Sequence, residues 1–162
     1  MNSKLKNLFI LLIIAFLTNC TSSKVFKKLK KTDEHLANFY IIRPIETTLG
    51  IWSYTVEIYK YKSHFKHDKN PKLIKKIPLD NGEYAFLRLE EGYYKLFIKG
   101  KELTDKIVYL SKNSEQFIKL YIFSPSHISK AEFYLKEIEK KEAIELLIEG
   151  NHLNESPLSS KE

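Results

Sequence analysis

Few side chains in this chain could do chemistry, and they are scattered. His64, His67 and Asp68 form a His-x-x-His-Asp cluster, and imidazole and carboxylate together suit Zn or Cu. Lysines at 62, 66 and 69 surround the cluster and would repel a cation, which favours a solvated loop there. Arg43 interrupts an apolar stretch. Its planar fork could hold a carboxylate or phosphate. The favoured reading is a pairing with an acid of a neighbouring strand, Glu57 or Glu83. The 10 tyrosines, with Trp52, could stack against sugar rings and offer a polar handle. Tyr59, Tyr61, Tyr93 and Tyr121 fall opposite apolar stripes and are expected to be exposed, with Tyr93 and Tyr121 as candidate ligand contacts. Sheets favour aromatic residues in any case, so packing is the competing and favoured explanation.

The patterns that mark hydrolases, metalloproteases and nucleotide-binding enzymes do not occur in the sequence: there is no Gly-x-Ser-x-Gly, His-Glu-x-x-His or P-loop. The acid pairs Glu90-Glu91 and Asp33-Glu34 fall in turn or linker positions. No catalytic residue and no cofactor is expected.

The elements that would carry these residues are mostly strands. Residues 37–44 are aromatic and β-branched up to Pro44. In residues 51–61, Trp52, Tyr54, Val56 and Ile58 alternate with polar residues, the period of a half-buried strand. Residues 73–79 carry Pro78, which suits an edge strand. Asp80-Asn81-Gly82 and Glu90-Glu91-Gly92 read as turns around a strand at 83–89, and a further strand follows at 93–99. Residues 106–111, 115–123 and 131–138 continue the period of two. Only at 139–149 does the spacing change: Ile144, Leu147 and Ile148 fall at i, i+3 and i+4, with Gly150 as a helix stop. The expected fold is mainly β: an antiparallel β-sandwich of about seven to eight strands with one short C-terminal amphipathic helix. A closed barrel is the alternative. Residues 150–162 are polar and are expected to be a disordered tail.

The start of the chain addresses everything after it. Lys4 and Lys6 precede an unbroken apolar run over residues 8–17, then Thr18-Asn19-Cys20. Such a run is too short for a membrane span, which takes about 20 residues, and has the form of an export signal. The formal charge is +7, of which Lys4 and Lys6 supply 2, leaving +5 on residues 20–162. Export and only 2 arginines, Arg43 and Arg88, argue against nucleic acid as partner. The 143 residues from Cys20 onward suit one domain.

Leu17-Thr18-Asn19-Cys20 resembles a bacterial lipobox, although Asn19 stands where Gly, Ala or Ser is usual. Cys20 is the sole cysteine, and a thiolate is readily alkylated to a thioether. The resemblance implies cleavage before Cys20 and a lipid on its sulfur. The expected organisation is then a signal peptide (1–19), a lipidated Cys20 with a basic tether (20–35), a β-sandwich (36–149) and the tail (150–162). Lys27, Lys28, Lys30 and Lys31 surround Leu29 and could each add up to about 1 kcal/mol of attraction to anionic head groups. A solvated linker is the competing reading. Thr21, being non-acidic, is compatible with outer-membrane sorting in preference to inner. In its middle the chain is similar to a family of uncharacterised bacterial lipoproteins with a small all-β domain. The likeness lies in residues 37–44 (Ala-Asn-Phe-Tyr-Ile-Ile-Arg-Pro), Gly82-Glu83-Tyr84 and Glu91-Gly92-Tyr93. It implies an envelope module of no assigned activity, with a membrane and an envelope protein or cell-wall glycan as expected partners.

Overall fold

The computed structural model describes residues 24–47, 49–101, 104–124, 131–149 and 152–157. Cys20 and Gly150, and the expectations attached to them, lie outside these.

Among the described residues, ten strands and one helix follow in order: β1 (Lys24–Val25), β2 (Leu36–Arg43), β3 (Tyr54–Lys60), β4 (Lys72–Leu79), β5 (Glu83–Glu90), β6 (Gly92–Ile98), β7 (Lys106–Leu110), β8 (Glu115–Phe123), β9 (Glu132–Ile138), α1 (Lys140–Ile148) and β10 (Asn154–Glu155). They form a six-stranded sheet, β1-β10-β5-β2-β8-β9, and a four-stranded sheet, β4-β3-β6-β7. Both sheets keep open edges, so the fold is a sandwich and not a closed barrel. β4 is an edge, where Pro78 removes no ladder bond that the sheet needs. Most pairings are antiparallel, but β2 runs parallel to β8 and β10 parallel to β5.

Alternation builds the core between the sheets. Phe39 and Ile41 of β2, Val56 and Ile58 of β3, Leu96 and Ile98 of β6, and Ile118 and Leu120 of β8 are fully buried in one cluster. Burying each such side chain contributes about 1.5–3 kcal/mol. Trp52 does not join them: it is 59% exposed, because the chain turns through residues 49–52 before β3 begins at Tyr54.

A second apolar cluster lies on the outer face of the six-stranded sheet. Tyr40, Ile42, Tyr84 and Phe117 face outward there, covered by Ala143 and Leu147 of α1, Phe26 and Leu153. β2 is therefore buried on both faces, in keeping with its continuous apolar run. The helix face differs from the expected one. Ala143 and Leu147 are buried and Leu146 packs beside them, whereas Ile148 is 47% exposed. Ala143 lets the helix approach rings that already fill the sheet surface, and a count of large apolar residues overlooks it.

Two expectations about the ends are corrected. The stretch read as a tether is a strap laid across the second cluster. Phe26 is buried edge-on against Tyr84, with centroids 5.6 Å apart, and its N–H donates to Leu153 O (2.8 Å). Residues 152–157 of the supposed tail are built into the sheet. Asn154 N–H donates to Gly82 O (3.0 Å) and Ser156 N–H to Tyr84 O (2.8 Å), while Leu153 is 1% exposed. Polar composition suggested disorder, yet main-chain bonding to a sheet edge requires no particular side chains.

Candidate functional site

Arg43 ends β2 and is 1% exposed. One terminal nitrogen donates to Trp52 O (2.6 Å) and Leu79 O (2.7 Å), and the other to Leu49 O (3.3 Å). The guanidinium lies 4.7 Å from the Tyr54 ring centroid. Burial lowers its pKa, countered by the facing Tyr54 and by Asp80, Glu46 and Glu83. The expected partner acids do not bind it. Glu83 is opposite in register but makes no ion pair with it among the described residues, and Glu57 belongs to Lys76 and Tyr59 (3.0 and 2.6 Å). The fork thus closes the loop between β2 and β3 onto β4, using carbonyls that have no sequence signature. Asn81 secures the same loop: its side chain accepts from Glu46 N–H (2.9 Å) and donates to Glu46 O (2.8 Å). Gly50 is required beside them, since a Cβ there would stand 2.6 Å from Glu46 O. Gly82, at φ +76°, makes the adjoining turn.

The loop between β3 and β4 is held by its own polar groups. Asp68 accepts from Lys62 N–H (2.7 Å) and Asn70 N–H (3.1 Å), and His64 Nδ1 accepts from Lys66 N–H (3.2 Å). The His64 and His67 ring centroids are 5.9 Å apart. Among the described residues, no three His, Cys, Asp or Glu side chains are grouped to hold a metal ion.

His64 belongs instead to an aromatic cluster on the outer face of the four-stranded sheet. Its ring stacks on Phe65 (4.6 Å) and meets Tyr93 edge-on (4.7 Å), and Tyr93 lies 4.8 Å from Tyr109. Tyr109 is 48% exposed and donates its hydroxyl to Glu91 (2.6 Å), which raises the phenol pKa. Lys112 reaches the other oxygen of Glu91 (3.8 Å). Rings with a charged polar rim can stack on an apolar sugar face and hydrogen bond its hydroxyls. Phe65 and Tyr109 were not singled out from the sequence. Tyr109 was legible there, since it alternates with the inward Val108 and Leu110. Tyr61, expected exposed, is 8% exposed beneath Phe65.

Tyr121 is not part of this cluster. It projects from the outer face of the other sheet, 39% exposed, opposite Tyr134 and beside Phe123. Tyr93 and Tyr121 therefore cannot form one platform. An open groove of about 520 Å³ lies between β8, β9 and the start of α1. Its polar groups largely bind one another, as in Gln116–Glu137 (2.7 Å) and Lys140–Glu115.

No family model, curated protein sequence or solved structure matches the chain.

Proposed function

We propose that this chain is a bacterial lipoprotein, anchored through Cys20 after export, whose β-sandwich is a non-catalytic interaction or structural module of the cell envelope. The observation that carries the anchor is the placement of Cys20: the sole cysteine follows the apolar run after only Thr18 and Asn19, and precedes by four residues the first strand described. The module reading is supported by how the polar side chains are used. Arg43 holds carbonyls and Asp68 holds loop N–H groups, both building backbone structure. Incorporation of labelled fatty acid tests the anchor. The native chain takes up label and Cys20→Ser does not; equal labelling of both would refute it.

A second reading is favoured by the aromatic cluster: binding of cell-wall glycan through His64, Tyr93 and Tyr109. Saturable retention on peptidoglycan, lost in Tyr93→Ala or Tyr109→Ala but kept in Tyr121→Ala, is the expected signature. Absence of retention at both low and high salt would remove it.

A further inference from the structure

The strap between Lys24 and Lys31 combines two properties that its sequence alone reads as alternatives. Its main chain is fixed to the fold. Lys30 N–H donates to the Tyr40 hydroxyl (2.8 Å), and Lys30 O accepts from Asn38 Nδ2 (2.9 Å), so one strap residue is held on both its backbone groups by β2. Phe26 and Leu29 pack into the second cluster, and Lys24 pairs with Glu155 in the sheet. Its side-chain charge, in contrast, is turned outward. Lys24, Lys27, Lys28, Lys30 and Lys31 are all exposed, as is Val25 at 45%. Lys60, Lys76, Lys95, Lys112, Lys119 and Lys140 each form an ion pair with an acid. None of the strap lysines does so among the described residues.

Distance then limits where this charge can be. Four residues of fully extended chain cover at most about 14 Å. If Cys20 carries its lipid at a bilayer surface, Lys24 lies within that reach, and the fixed strap cannot swing the domain far away. Surface potential decays over a Debye length of about 8 Å at physiological salt, so lysines this close would be attracted before screening removes the effect.

We propose that the strap is the membrane-facing surface of the domain, seated on anionic phospholipid head groups through Lys24, Lys27, Lys28 and Lys31, with the aromatic cluster of the four-stranded sheet turned away. The inference rests on the Cys20 anchor for its distance limit. The domain is held against the membrane in one orientation.

Lysine acetylation of the full chain in vesicles, read by peptide mass, tests this orientation. Phosphatidylglycerol–phosphatidylethanolamine vesicles are compared with phosphatidylcholine vesicles. The strap lysines should react about fivefold more slowly on the anionic surface, the factor expected for a lysine near such a surface. Lys66 and Lys72, exposed on the other sheet's side, should react alike on both. Lys27→Glu combined with Lys28→Glu, at exposed positions that leave the packing intact, should abolish the protection of Lys24 and Lys31. Equal strap reactivity on the two vesicle types, in protein that floats with them, would overturn the proposal. The anchor reading fails separately, if Cys20→Ser floats as the native chain does while its strap protection persists.

Discussion

The six-stranded sheet is covered on its two faces by different means. Its inner face meets another sheet, and mostly aliphatic side chains from regular strands, with Phe39, Tyr54, Tyr94 and Phe133 among them, fill the space. Its outer face meets a helix, a strap and a two-residue strand, which contribute rings and main-chain hydrogen bonds from both ends of the described chain. The inner layer is a repeating pattern, while the outer is an assembly of single contacts. The inner face should therefore lose stability as one unit, whereas the outer should be able to open locally before the domain unfolds.

The largest effect should come from the inner face. Ile58→Ala or Leu96→Ala removes a fully buried side chain and should cost about 2–5 kcal/mol in chemical denaturation, with the transition still cooperative. A loss under about 1 kcal/mol would mean that the two sheets do not pack as described. Phe26→Ala comes next. Truncating a buried phenylalanine typically costs about 3–5 kcal/mol, but the strap can detach on its own, so the global loss should be nearer about 2 kcal/mol. Amide exchange should accelerate at residues 24–31 and 152–157 and stay slow in β3 and β6. Uniform acceleration would abolish the distinction between the faces.

Smaller effects sharpen the contrast through pH. Burial pushes the Tyr40 phenol up to about 12 and raises that of Tyr84 further. A phenol with a raised folded-state pKa lends stability that is complete below its unfolded value of about 10 and lost as pH climbs through the folded value. The outer face should therefore open between about pH 10 and 12. Tyr40→Phe should cost about 1 kcal/mol at neutral pH through the lost bond to Lys30 and reduce that alkaline loss. Absorbance titration of the phenols, paired with exchange at the strap, would follow both. Glu57 has the opposite sign. Hydrogen bonds from Tyr59 and then Lys76 lower its pKa, so its contribution is present at neutral pH and fades as acid protonates it. Glu57→Gln should weaken the domain slightly at pH 7 and by nothing near pH 3. An unchanged difference at both would show that the carboxylate charge is not what stabilises.

The same contrast explains how much could be seen in the sequence. The eight longer strands and the helix were legible because their periodicities are local, and so was the edge position of β4 from Pro78. The parallel pairing of β2 with β8 was not, since register between distant strands leaves no local mark. Phe26 and Leu153 looked like isolated apolar residues in polar surroundings; only the sheet brings them together. For Arg43 the sequence suggested an acid partner because acids can be seen in a sequence and backbone carbonyls cannot. Among the candidate contacts, Tyr93 was placed on an outer face correctly, but its neighbours His64, Phe65 and Tyr109 come from a loop and another strand. Tyr121 also falls opposite an apolar stripe, but strand alternation does not say which sheet an outward residue belongs to, and Tyr121 lies on the other one.

The lipid anchor is the claim on which the functional account depends most, and the mass of the amino-terminal peptide tests it directly. The protein would be extracted with detergent from its native membrane and digested. The account predicts a peptide beginning at Cys20 that carries diacylglyceryl or triacyl mass. A peptide beginning at Met1, or an unmodified Cys20, would contradict it.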